Sequence, residues 1–258
     1  MNALPTENNL TDQLHPPSTT PFATLAIMAK YWTPGRVKTR LGHSIGMSAA
    51  AELHRAFTLH LCERLAAAGD RRVLSIAPDS AVNLLEQEPT CDPWDILPQG
   101  DGDLGARMRR LIQTHLDCRE TDPAAAPRRV IVIGADCPMI SVEEIAIAVQ
   151  KLETYDLVLG PANDGGYYLI GMNGPWTEPM GCLFESMPWS TAEVLAITKQ
   201  RAARAKLSLA VLPPKEDIDT IECLDRLRAD LENSPTQNPL DSVFADRIEA
   251  ILRNSQSD

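Results

Sequence analysis

No two of the six cysteines in this 258-residue chain form a C-x-x-C pair; Cys62, Cys91, Cys118, Cys137, Cys182 and Cys223 are all widely spaced. That argues against a zinc site and a disulfide framework, and fits reduced thiols in a cytoplasmic protein. Long apolar runs are missing too, so no stretch approaches the length of a membrane span. The first 20 residues have neither a basic start nor an apolar core, and read as a disordered polar tail rather than a secretory signal. Positive charge is scarce: 24 Lys and Arg stand against 35 Asp and Glu, for a net charge of −11. That balance disfavours non-specific nucleic-acid binding. Without G-x-x-x-x-G-K-[ST] or G-x-G-x-x-G, a P-loop ATPase and an NAD-binding Rossmann enzyme are disfavoured. Without G-x-S-x-G there is no serine nucleophile elbow.

What is present is an alternation of β-branched runs and helical stripes over residues 21–254, which needs no second domain. The organising stretch is Ile131–Pro138, IVIGADCP. Val130 to Ile133 suits a strand buried on both faces of a parallel sheet. Gly134 turns the chain at the strand's carboxyl end, and Pro138 stops the sheet. Asp136 is thereby delivered to the edge where open α/β sheets bind ligands. There it either holds a metal ion beside a nucleotide phosphate or caps a turn.

Ahead of it, Phe22–Met28 reads as a first strand continuing to Lys30, followed by YWTPGRVKTRL. Pro34-Gly35 marks a turn. Arg36, Lys38 and Arg40 alternate, so an extended segment would put them on one face. No acid occurs between Asp12 and Glu52, where about five would be expected from the composition. This set fits a phosphate clamp, and the plainer alternative is a solvated basic loop. Ser48–Ala68 reads as a helix capped by Ser48 and stopped by Gly69, with Leu53, Ala56, Phe57, Leu61 and Leu65 on one stripe.

Strands are expected at Arg72–Ala77 and Asp95–Gln99. QGDGDLGARM then opens a helix whose buried face is Leu104, Met108, Leu111 and Ile112. The backbone around Gly105 at this helix start can meet a nucleotide. Asp101-Gly102-Asp103 has a spacing that serves either a divalent metal or a helix cap. TDPAAAPRR is a Pro-rich link. Ser141 with Glu144, and Ser190 with Glu193, have the spacing of capping boxes. Asp156–Gly160 and Tyr167–Ile170 read as strands around a tight turn at Asp164-Gly165-Gly166. Asp164 is either an acceptor-side general base or a turn residue. After a short strand at Leu207–Leu212, Asp217 and Asp219 stand two apart, so an extended backbone aims both carboxylates one way. Asp219 is also placed to cap the next helix. Helices follow at Thr220–Leu231 and Asp241–Arg253, separated by ENSPTQNP.

Together these pieces imply one site. Cations would hold nucleotide phosphates, and Asp136 with Asp217 or Asp219 would hold Mg²⁺ or Mn²⁺, whose hard character suits carboxylate oxygens.

Four blocks in order, AKYWTPGRVKTRL, QGDGDLGARM, IGADCP and GPANDGGYYLIG, with a weaker LFESMPWST and DIDT, resemble a bacterial family of provisionally named glycosyltransferases with the glycosyltransferase-A fold. That family is itself similar to the nucleotidyltransferases of molybdenum-cofactor synthesis and to 2-phospho-L-lactate guanylyltransferase. The resemblance runs from Phe22 to Leu227. It implies a three-layer α/β/α sandwich with a mostly parallel sheet. It implies nucleotide contacts from Lys30, Arg36, Lys38 and Arg40, with Gly35 and Gly105 shaping the nucleotide-binding turns. It also implies a metal on Asp136 and Asp217 or Asp219, and Asp164 on the acceptor side. A proline is usual soon after the first lysine, where this chain has Tyr31-Trp32. The activity implied is metal-dependent glycosyl transfer from a nucleotide sugar to a small-molecule acceptor. The alternatives are nucleotidylyl transfer from a nucleoside triphosphate and non-catalytic nucleotide binding.

Overall fold

The computed structural model describes residues 23–117, 128–233 and 238–255. The expected amino-terminal tail, most of the Pro-rich link, Cys118 and the middle of ENSPTQNP lie outside the described residues. Strands β1 (Ala23–Lys30), β2 (Arg71–Ala77), β3 (Asp95–Pro98), β4 (Arg129–Gly134), β5 (Leu157–Pro161), β6 (Tyr167–Asn173) and β7 (Leu209–Val211) form one sheet in the order β3-β2-β1-β4-β6-β5-β7. Only β6 runs antiparallel to its neighbours β4 and β5.

The central strands are buried on both faces because their apolar runs are continuous. Leu25, Ile27, Ile131 and Ile133 face one layer, and Ala26, Val130 and Val132 face the other. The first layer contains helices α2 (Met47–Arg64) and α5 (Val142–Lys151), the latter with the expected Ser141–Glu144 capping box. The second contains α4 (Leu104–Asp117) and α6 (Val194–Arg204). Short helices α1 (Thr39–Ile45) and α3 (Val82–Leu85) complete the first half. Helices α7 (Ile221–Asn233) and α8 (Pro239–Ser255) pack on the outer side of α2, with Phe57, Leu224, Phe244 and Ile248 between them. The sandwich and mostly parallel sheet are those expected. No described helix is long and apolar enough to cross a membrane.

Several local expectations give way. The segment after β1 is not extended: Lys38 adopts φ 46°, ψ 41° and starts α1. The long helix begins after Gly46, so Ser48 lies inside it rather than capping it. Leu104 is 44% exposed, while Met108, Leu111 and Ile112 are buried as expected. Ser190 has φ 65°, and no capping box with Glu193 forms, because α6 starts only at Val194. Thr220, not Asp219, caps α7, accepting the Cys223 amide.

Helix α8 is fastened by a buried ion pair. Asp241, 2% exposed, accepts from Arg64 of α2 and lies 3.5 Å from His60. Burial first, and then Arg64, push the His60 pKa down to about 4, so the ring stays neutral and stacks on Phe244. Removing one partner leaves the other charge without compensation. Asp241→Ala is therefore expected to cost about 3 kcal/mol in urea unfolding; a loss below about 1 kcal/mol would mean that α8 contributes little to the fold.

Candidate functional site

Topology decides which residues meet. Strands β1, β4, β5 and β7 all end at one edge of the sheet, and β6, running the other way, starts there. The strand order reverses between β1 and β4, where open α/β sheets form a ligand crevice. A cleft of about 500 Å³ lies at that point. Lys30, Arg36, Lys38, Arg40, Asp136, Asp164, Asp217 and Asp219 all line it.

Asp136 follows β4 as expected. Its carboxylate is surrounded by protein yet opens into the cleft, with 47% of its side-chain surface exposed. Burial favours its neutral form, but Lys38 and then His54 outweigh this and lower its pKa. The Lys38 side chain is 2% exposed, and its Nζ lies 2.5 Å from Asp136 Oδ1 and 3.0 Å from Asp219 Oδ1. Burial works against the ammonium, but Asp136 and then Asp219 reverse the balance and raise its pKa. The Ile218 amide donates to the Asp136 carbonyl at 3.0 Å, fixing the 217–219 segment beside β4. The two distant acidic stretches therefore meet.

The carboxylates of Asp217 and Asp219 line the same cleft but take different partners. The Asp219 amide donates to the Asp217 carbonyl, so the backbone between them turns tightly and is not extended. Asp219 pairs with Lys38 and Arg40. Asp217 accepts from the Cys137 thiol at 2.9 Å. Burial, with the nearby carboxylates of Asp164, Asp136 and Asp219, pushes the Asp217 pKa up to about 6 against the thiol's opposing effect. Among the described residues, no three His, Cys, Asp or Glu side chains already converge as a metal cage. Lys38 is the cation that joins Asp136 to Asp219.

The other candidates divide. Arg36 and Arg40 are exposed, Arg40 to 66%, and Arg36 faces the cleft from the turn before Lys38. Gly35, at φ 74°, makes that turn and is not part of the lining. Gly105 is buried where a Cβ would stand 2.3 Å from the Phe184 carbonyl oxygen and 2.9 Å from Trp189, so it allows helix packing rather than facing the cleft. Asp103 caps α4 through the Ala106 amide, which favours the cap for the D-x-D spacing. Asp164 accepts from the Gly166 amide at 2.8 Å and also lines the cleft, so the turn and site roles coexist. Gly165 has φ 90°, and a Cβ there would stand 2.3 Å from the Ala192 carbonyl oxygen. Its own carbonyl accepts from Leu195, fastening the hairpin to α6.

Sequence reasoning missed His54. Its Nε2 donates to the Lys30 carbonyl at 3.0 Å, and its buried Nδ1, 3.8 Å from Asp136 Oδ1, has no hydrogen-bond partner among the described residues. Burial lowers its pKa against the pull of Asp136. The one signal was a histidine beside Leu53 in an otherwise apolar helix stripe. Cys137 was also visible next to Asp136, but its partner lay 80 residues away.

A family model described as an uncharacterized protein conserved in bacteria (DUF2064) matches residues 58–191. No curated protein matches the chain. Among solved structures, the chain is similar to a provisionally named nucleotide-diphospho-sugar transferase from Desulfovibrio desulfuricans G20. The TM-score is 0.76 at 28% identity, covering 92% of this chain and 99% of that one. It is also similar in fold to a cytidylyltransferase from Leptospira borgpetersenii serovar Hardjo-bovis, with TM-score 0.52, 16% identity and coverage of 92% and 96%. A nucleotidyl transferase from Methanothermobacter thermautotroptrophicus gives TM-score 0.52 at 12% identity, with coverage of 83% and 99%.

Asp217 supplies a pH test. Its carboxyl is harder to ionise in the folded chain than in the unfolded one, so ionisation opposes folding. That penalty is absent below about pH 4 and complete above about pH 6. In chelator, the stability of the wild type relative to Asp217→Asn is expected to fall by about 2 kcal/mol between pH 4 and pH 7. A flat difference across that range would place Asp217 in an ordinary solvated setting.

Proposed function

The chain belongs to this bacterial family, and we propose that it is a metal-dependent transferase, passing a sugar from a nucleoside-diphosphate donor to a small-molecule acceptor. The observation that carries the proposal is the meeting of Asp136, Asp217 and Asp219 with a basic loop at the β1/β4 crevice. The similarity to the Desulfovibrio protein, over nearly all of both chains, supports the donor class.

Lys30, Arg36 and Arg40 line the cleft and would meet the donor's phosphates. Asp136, with Asp217 or Asp219, would hold Mg²⁺ or Mn²⁺, with diphosphate oxygens completing the ligands. The donor set fits such an ion: these are hard carboxylates, and Asp217, whose pKa is raised by burial first and then by Asp164, Asp136 and Asp219, has no cation paired with it among the described residues. When bound, the ion would neutralise charge on the departing diphosphate. The acceptor hydroxyl forms its bond to the sugar's anomeric carbon as that carbon's bond to phosphate oxygen breaks. Asp164 lines the hairpin side of the cleft and would take the hydroxyl proton.

Thermal shift with nucleoside-diphosphate sugars and nucleoside triphosphates, each with Mn²⁺ or Mg²⁺, tests this. A sugar donor at about 100 times its Kd is expected to add about 3 kcal/mol of stability. A larger shift with a triphosphate would indicate nucleotidylyl transfer, and no shift with either would remove the nucleotide-dependent reading. Asp136→Asn is expected to abolish the metal-dependent part of the shift while the protein remains folded without metal.

A further inference from the structure

The two late aspartates have different partners. Both oxygens of Asp219 are taken by the basic loop: Oδ1 by Lys38 Nζ at 3.0 Å and Oδ2 by Arg40. Asp217 gives one oxygen to the Cys137 thiol, and its other oxygen takes no hydrogen bond among the described residues. The tight turn between them, with the Asp219 amide on the Asp217 carbonyl, makes the separation a property of the backbone.

Lys38 shows what Asp219 does. Its backbone sits at φ 46°, a region that costs a residue with a Cβ on the order of 1–2 kcal/mol. A glycine would adopt that conformation at lower cost, but could not send an ammonium into the carboxylates. The side chain runs inward past the Phe57 ring, with Nζ 5.5 Å from its centroid, and ends between Asp136 and Asp219. A buried ammonium needs such partners. The loop's conformation is thus held from its far end, by carboxylates about 100 and 180 residues away in sequence. Ligand oxygens stand at about 2.0–2.6 Å from a divalent ion, so an ion bridging Asp136 and Asp219 would take the space that Nζ occupies.

We infer that Asp219 is a positioning residue: through Lys38 and Arg40 it clamps the basic loop against the end of β4, and divalent-metal ligation falls to Asp136 and Asp217. The second half rests on the metal-dependent reading above. The first half does not.

Two measurements on the full chain separate the roles. Hydrogen exchange reads the loop, over peptides spanning residues 33–45. Manganese paramagnetic resonance reads the metal, with inorganic pyrophosphate as the phosphate probe. Asp219→Asn is expected to speed loop exchange by about tenfold and weaken pyrophosphate by a similar factor, while leaving the Mn²⁺ Kd within about threefold. Asp217→Asn is expected to weaken Mn²⁺ by at least about tenfold with loop exchange unchanged. Unchanged exchange in α5 confirms that each variant is folded. Should Asp219→Asn fail to fold, the exposed change Arg40→Met is measured instead; faster loop exchange supports the clamp, and unchanged exchange overturns it. Wild-type loop exchange in Asp219→Asn overturns it as well. Loss of Mn²⁺ by Asp219→Asn to the extent seen for Asp217→Asn overturns the division of labour. If the wild type binds no Mn²⁺ even with pyrophosphate, the metal-dependent reading fails, and loop exchange alone decides the clamp.

Discussion

A single buried ammonium, that of Lys38, ties the segment after the first strand to the segment before α7. Its two carboxylate partners lie on different parts of the chain, and each of the three groups would be costly to bury without the others. The left-handed turn at Lys38, the setting of the arginines on either side and the low pKa of Asp136 all follow from that contact. The sheet makes it possible. Parallel strands end at one edge, so residues far apart in sequence arrive together there.

Charge in the cleft is unevenly compensated. Asp136 and Asp219 have cations against them, whereas Asp217 has a weak thiol donor and three carboxylates nearby. A site with unspent negative charge beside exposed arginines suits a ligand that carries both signs, such as a phosphate with its counter-ion. The fold alone would not support that reading, because similar sheets serve many chemistries. The residues at the sheet edge support it.

Much of the fold was legible because its signals are local. The β-branched run Val130–Ile133, the apolar stripe of α2 and the Ser141–Glu144 box each need only a few neighbouring residues to be read, and each is found as expected. Asp136 was legible for the same reason, since a glycine turn after a buried strand places the next acid at the edge. The misses involve partners distant in sequence. The alternation of Arg36, Lys38 and Arg40 suggested an extended segment, but tertiary ion pairs draw Lys38 inward and α1 begins there. The two-residue spacing of Asp217 and Asp219 suggested an extended backbone, but the chain turns between them and they take different partners while lining one cleft. Leu104 continued a helix stripe in sequence yet lies at the cleft mouth, where the stripe runs out of core. His54 carried no local sign that its ring would face Asp136.

The walls of the cleft are built from different forces. On the hairpin side, Gly165 packs directly against the backbone at Ala192, a steric fit insensitive to dissolved ions. On the opposite side, the exposed Arg40 is drawn in by a partly exposed carboxylate, a contact that mobile ions screen. Rising ionic strength should therefore loosen the basic-loop wall while the hairpin wall keeps its shape, so that salt alters one side of the cleft and spares the other.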